Sequence, residues 1–235
     1  MRFAYLIEPP FNYIDSMGRL TGCDIELARF VSNAVGSSDF RPVETEFPNL
    51  LPGLAAGEWD MTTGMFATPA RRQLACFSSP IWALPDGLLV SQENPDKLRG
   101  YTCLAANRAL RLAVVRDQVQ HETALAAGVS NNQILVFASY EEAADAVSKG
   151  HVTAYASVAR AHAAFVHQHP GLGLSVVDIP PEDAPQAAGS FALSLKDPGL
   201  RDDVNRALFD YLGTKAHRDM MRPFGFSDQE IDLIA

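Results

Sequence analysis

The chain has 235 residues, 47% apolar and 20% charged, with 19 basic and 28 acidic side chains for a formal net charge of −9. That much apolar side chain argues for a packed core rather than disorder. The negative balance argues against wrapping nucleic acid or coating an anionic bilayer, where clustered Lys and Arg supply affinity, and the longest basic run is Arg71-Arg72.

Strand-like and helix-like segments alternate from the N-terminus. Phe3 to Ile7 is a short apolar run, and Asp15-Ser16-Met17-Gly18 makes a turn. Thr21 with Asp24 three residues later reads as a helix-start box, followed by Ile25, Ala28, Val31 and Val35 at helical spacing and a stop at Gly36. Val43 to Phe47 reads as a strand. Asn49 then opens a short helix that Gly57 ends, and Asp60 to Gly64 reads as the next strand. Thr68-Pro69 predicts a helix start, because Thr accepts from the first unpaired N–H groups and Pro has no N–H to lose.

After the strand Gly87 to Val90 comes the polar segment Gln92 to Lys97. The alternation resumes with a strand over Leu110 to Val115, a helix over Gln118 to Ala127 stopped by Gly128, and a strand over Ile134 to Phe137. Ser139 and Glu142 form a second box, opening a helix that Gly150 closes. Val152 to Ala156, Ala159 to Val166, Leu174 to Ile179 and Phe191 to Leu195 then read as strand, helix, strand and strand. Leu200, Val204, Leu208 and Leu212, four apart, predict a long helix. The rhythm predicts an α/β fold with helices on both faces of the sheets. Its breaks near 91 and 187 predict a lobe of residues 1–91 and 187–235 with a second lobe, 92–186, inserted in it. Two crossovers suggest a hinge and a ligand cleft.

No run approaches the ~18 apolar residues of a membrane span, and the N-terminal run is too short for a signal-peptide core. The chain therefore either works in the cytoplasm or is a mature form whose export signal was removed. Cys23, Cys76 and Cys103 are odd in number and widely spaced, and read as small buried hydrophobes rather than metal ligands. His162, His167 and His169 lack the spacing of a helical metal site, and the acid pairs Glu141-Glu142 and Asp202-Asp203 read as first-turn residues complementing helix dipoles. Acyl-transfer and nucleotide signatures are missing, so no cofactor and no metal are expected.

The segment Gly64 to Arg71 carries the chemistry. A strand ending at Gly64, followed by a helix from Thr68, leaves a loop at the carboxyl edge of a sheet, where open α/β sheets bind ligands. Arg71 in that helix's first turn calls for a neighbouring anion, and a guanidinium matches a carboxylate bidentately.

With Pro9-Pro10-Phe11-Asn12-Tyr13, Gly18 to Asp24, Leu51 to Asp60, Thr68-Pro69-Ala70-Arg71 and Phe77-Ser78-Ser79-Pro80, the chain resembles the type II periplasmic solute-binding family of ABC importers, in its polar amino-acid branch. The segment Met65 to Arg71 resembles a signature of ectoine and hydroxyectoine binders. The resemblance implies a two-lobed periplasmic-binding-protein type II fold that closes around a small zwitterionic solute and delivers it to the transmembrane subunits of an ABC permease. It implies a monomeric, periplasmic, non-catalytic receptor whose signal sequence was removed. Glu8, Phe11, Phe47 and Phe66 would hold the cationic part of the ligand, with Gly64 beside them and Arg71 on the carboxylate. In the second lobe Val119 and Gln120, at a helix start, would add contacts. There Asp117 stands where the family has glycine, and Ser157-Val158 stand where amino-acid binders have an aspartate. Two other readings are a cyclohexadienyl dehydratase-like enzyme on the same fold, and a sensory module of a larger receptor.

Overall fold

The computed structural model describes residues 1–37, 39–94 and 97–235. Within the polar segment Gln92 to Lys97, Pro95 and Asp96 lie outside the described residues. The chain divides into two compact units, one of Met1–Ala83 and Ala187–Ala235, the other of Leu84–Gln186.

In chain order, the first unit begins with β1 (Arg2–Tyr5), the short strands β2 (Tyr13–Ile14) and β3 (Leu20–Thr21), α1 (Cys23–Ala34), β4 (Arg41–Glu44), α2 (Leu50–Ala56) and β5 (Met61–Phe66). Next come β6 (Cys76–Phe77) and β7 (Trp82–Leu84), at whose end the chain passes into the second unit. That unit holds β8 (Asp86–Ser91), α3 (Tyr101–Ala106), β9 (Leu112–Val115), α4 (Gln120–Ala126), β10 (Ile134–Phe137), α5 (Tyr140–Ser148), β11 (Ala154–Val158), α6 (Ala159–Gln168) and β12 (Leu174–Asp178). The chain then returns through β13 (Ala187–Leu193) to α7 (Pro198–Tyr211), α8 (Lys215–Met221) and α9 (Asp228–Asp232).

The first sheet has the order β4-β1-β5-β13-β6, with β7 also on β13. β4, β1 and β5 run parallel, while β13 runs antiparallel to β5. The parallel strands therefore run toward one edge of the sheet, with Glu8 just past β1 and Phe66 the last residue of the neighbouring β5. α1 buries Ile25, Leu27, Ala28 and Val31 in the helical spacing read from the sequence. Gly36 and Gly57 take φ of 78° and 77°, the left-handed backbone that ends a helix at little cost for glycine.

The second sheet has the order β10-β9-β11-β8-β12. Leu88, Val90, Leu112, Val114, Ala154 and Ala156 bury one of its faces under Tyr101, Leu104 and Ala124. β8 pairs along its length with β11 and β12. The strand before residue 91 thus belongs to the second unit, and the division falls at 83 rather than 91.

Four local readings need correction. The box at Thr21 and Asp24 does not form: Gly22 is the N-cap, and the N–H groups of Cys23 and Asp24 donate to the backbone carbonyls of Pro10 and Phe11 at 3.0 and 3.1 Å. Thr68 does accept from Arg71 N at 3.3 Å, yet only one 3-10 turn, Arg71–Gln73, follows. Cys23 alone is fully buried; Cys76 and Cys103 are half-buried. Asp202 and Asp203 lie past the first turn of α7, paired with Arg201 and Arg206. The box at Ser139 is realised on one side, where its hydroxyl accepts from Glu142 N at 3.2 Å.

Candidate functional site

In the first unit, β1 runs into a tight turn in which Phe11 N donates to Glu8 O at 2.9 Å and Glu8 N donates to Asn12 O at 2.9 Å. The turn is seated on the N-terminus of α1, whose first N–H groups it receives, and no side chain fits at Gly22 against the Phe11 carbonyl. Buried Asn12 fixes it from below, donating to Thr63 Oγ1 at 2.8 Å. Glu8 and Phe11 are accordingly both buried, on a backbone with few alternatives.

Phe11 packs against Trp82, ring centroids 5.2 Å apart and tilted by 37°. Phe66, at the end of β5, meets the same indole edge-on at 5.5 Å and 80°. The three rings form one aromatic surface, with Trp82 as its centre. Sequence reading missed Trp82, although it stands two residues after the Phe77-Ser78-Ser79-Pro80 motif; nothing local distinguishes it from a core tryptophan.

Fully buried Asp24 lies against this surface. Its Oδ1 accepts from Trp82 Nε1 at 3.1 Å, and its Oδ2 accepts from Thr63 Oγ1 at 2.6 Å and Gly64 N at 2.7 Å. Burial pushes its carboxyl above the usual carboxylate range, against the lowering effect of those donors. Gly64, expected beside a ligand, therefore has its N–H engaged by Asp24. A Cβ there would lie 2.9 Å from Trp82 Nε1, so glycine at 64 makes room for the indole.

Arg71 is half-buried in its 3-10 turn. Nη1 donates to Phe66 O at 2.9 Å, and the guanidinium carbon lies 5.1 Å from the Phe47 ring centroid. Phe47, expected in the aromatic cage, thus stands beneath Arg71, half-buried against the core cluster to which Leu50, Leu54 and Trp59 belong. Arg71, Phe66, Trp82 and Phe11 form a continuous chain of contacts in the first unit.

A model of bacterial extracellular solute-binding proteins, family 3, matches residues 1–224. The chain belongs to this family. Among curated relatives it is similar to a protein of Sinorhizobium fredii (strain NBRC 101917 / NGR234) named a probable amino-acid ABC transporter periplasmic-binding protein, y4tE. The two are 28% identical over 97% of this chain and 77% of that protein. Among solved structures, EhuB in complex with hydroxyectoine superposes with a TM-score of 0.89 at 24% identity, over 99% of this chain and 90% of that one. The arginine-, lysine-, histidine-binding protein ArtJ from Geobacillus stearothermophilus gives 0.87 at 20% identity, over 99% and 98%. The fold is therefore that of the type II periplasmic binding proteins, and the chain is a solute-binding protein.

The second unit of this solute-binding protein has its own polar cluster where β9 and β11 end. Val119 caps α4 and Gln120 opens it. Gln120 is buried, and its Nε2 donates to Asp86 Oδ1 at 2.7 Å; Tyr101 Oη donates to Asp86 Oδ2 at 2.9 Å. The Gln120 amide, expected to meet a ligand, is thus engaged within the unit. Burial raises the Asp86 carboxyl, with both donors opposing the shift. Asp117 takes φ of 63° in the turn from β9 to α4, the left-handed backbone for which glycine is the low-cost residue. Asp86 pairs with Val158, and Gly87 with Ser157, across β8 and β11. Among the described residues, no group of three or more His, Cys, Asp or Glu side chains could hold a metal ion.

Proposed function

We propose that the protein is the periplasmic receptor of an ABC importer, a non-catalytic monomer that binds a small zwitterionic carboxylate. The solute would be of the ectoine or hydroxyectoine kind or an amino-acid derivative, handed to the transmembrane permease subunits. The observation that carries this reading is the run of contacts in the first unit from Arg71 through Phe66 and Trp82 to Phe11, with Glu8 in the same turn as Phe11. It offers a guanidinium for a carboxylate and, next to it, aromatic faces and an acid for a weakly hydrated cation. The names of the relatives support the same class: an amino-acid transporter binding protein in one case, a hydroxyectoine complex in another.

The roles follow from chemistry. Arg71 holds the ligand carboxylate; Glu8, Phe11 and Phe66 hold the cationic part; Phe47 contributes through Arg71. Val119 and Gln120 mark the part of the second unit that contributes to binding.

Titration calorimetry with hydroxyectoine, ectoine, glycine betaine and the amino acids tests the reading. Binding of at least one zwitterion, lost in Arg71→Ala, is the expected result. Failure of the whole panel would discard it, and conversion of prephenate followed by ultraviolet absorbance would replace it with the enzymatic reading.

A further inference from the structure

Asp24 is a buried acid that the functional reading leaves without a task. It sits on the first turn of α1, yet it does not cap that helix, whose first N–H groups go to Pro10 and Phe11. All its partners are donors: Trp82 Nε1 at 3.1 Å and Cys23 Sγ at 3.6 Å on Oδ1, Thr63 Oγ1 at 2.6 Å and Gly64 N at 2.7 Å on Oδ2. An indole has a single polar hydrogen, so a fixed acceptor for it fixes the rotation of the whole ring.

The rest of the indole's surroundings confine it to a narrow slot. A Cβ at Gly64 would lie 2.9 Å from Trp82 Nε1 and one at Gly189 would overlap its six-membered ring, so two glycines on adjacent strands form the slot that receives it. Phe11 and Phe66 come from separate segments, and Trp82 is the ring that both touch. The position of the indole therefore determines the spacing between those two faces.

We propose that Asp24 is the positioning residue of the solute site: through Trp82 it sets the spacing and tilt of Phe11 and Phe66, and so the site's preference for compact, weakly hydrated cations. This rests on the proposed role of Phe11 and Phe66. Asparagine is not a neutral replacement, because its amide would turn an N–H₂ toward either Trp82 Nε1 or the Thr63–Gly64 pair, donor against donor. Cation–aromatic attraction depends on the distance and angle of each face, so a modest indole rotation weakens it without unfolding the unit.

The test uses the intact protein labelled with 5-fluorotryptophan. The sequence has two tryptophans, so two fluorine resonances result, assigned with Trp82→Phe. Asp24→Asn is expected to move or broaden the Trp82 signal while that of Trp59 stays, and to weaken hydroxyectoine binding tenfold or more at a temperature where circular dichroism shows full folding. Adding Trp82→Phe to Asp24→Asn should then cost less than twofold, since both act through one ring. Should Asp24→Asn fail to fold, Asp24→Glu serves, since it keeps a carboxylate but moves the acceptor by one methylene: a displaced Trp82 signal with two- to fivefold weaker binding supports the proposal. An unmoved Trp82 resonance, or losses from Asp24→Asn and Trp82→Phe that multiply independently, would overturn it, as a merely structural acid would lower melting temperature alone. Failure of the wild type to bind any zwitterion sinks the receptor reading instead, and the fluorine spectrum alone then decides whether Asp24 positions Trp82.

Discussion

The guanidinium of Arg71 lies over the ring of Phe47, 5.1 Å from its centroid, while donating to the carbonyl of Phe66 at 2.9 Å. Phe47 is thus a platform for the Arg71 guanidinium rather than a member of the ring cluster around Trp82. A half-exposed cation–aromatic contact is worth about 0.5–1 kcal/mol. Phe47→Leu should therefore weaken binding of carboxylate ligands by a few-fold in calorimetry, and Arg71→Lys by more, because an ammonium lacks the planar fork. Equal affinity in Phe47→Leu would separate the two residues functionally.

Gly189 and Trp82 predict a large stability effect from one methyl group. A Cβ at 189 overlaps the indole, and overpacking a filled site costs about 1–3 kcal/mol. Gly189→Ala should lower the unfolding free energy measured in urea by that amount. Gly18→Ala, with nothing within 4 Å but φ of 76°, tests backbone strain without the clash and should cost less, about 1 kcal/mol.

Asp86 and Asp24 are both buried acids, and their partners predict opposite responses to asparagine. Tyr101 Oη can accept as well as donate, so an asparagine side chain in place of Asp86 can donate to it while accepting from Gln120 Nε2. The burial-raised carboxyl of Asp86 means that its stabilising contribution is present at low pH and lost as pH rises through the folded-state value. Asp86→Asn is therefore expected to be neutral or stabilising at pH 7 and to flatten that loss, whereas Asp86→Ala should cost about 1–3 kcal/mol by stranding two donors. Chemical unfolding at pH 4 and pH 7 measures both; a loss above ~1 kcal/mol in Asp86→Asn at pH 7 contradicts the assignment.

His162 is fully buried, its Nδ1 2.7 Å from Tyr140 Oη and its ring 5.0 Å from that of Tyr155. Burial pulls its pKa down from 6.5 to about 3. The unfolded chain takes a proton near 6.5 and the folded one does not, so stability is full above that pH and falls as pH drops toward about 3. Over that window the loss from this group is on the order of a few kcal/mol. His162→Gln should remove this limb from the pH–stability curve, as read by thermal unfolding from pH 7 to pH 4.

Much of the chain was legible from local pattern. The run Ile134 to Phe137 is β10 as read, and the stops at Gly36, Gly57, Gly128 and Gly150 all fall on positive φ. α3, α8 and α9, five to seven residues long, are too short for apolar periodicity to establish itself, and they lack the C-terminal glycine through which the equally short α2 and α4 were legible. The helix expected from Thr68 shrank to one 3-10 turn, since a cap signal opens a helix but cannot sustain one without an apolar stripe behind it.

By itself the sequence determined the α/β alternation and the family, and it singled out Arg71, Phe11 and Phe66 for the proposed solute site, since motifs and periodicity are local properties of the chain. Only the tertiary structure decided that Asp24 serves Trp82 rather than its own helix, that Phe47 supports Arg71, and that Gln120 is bound to Asp86. These are contacts between residues 24 to 58 positions apart. A hydrogen bond or a ring contact depends on distance in space, which chain separation does not encode.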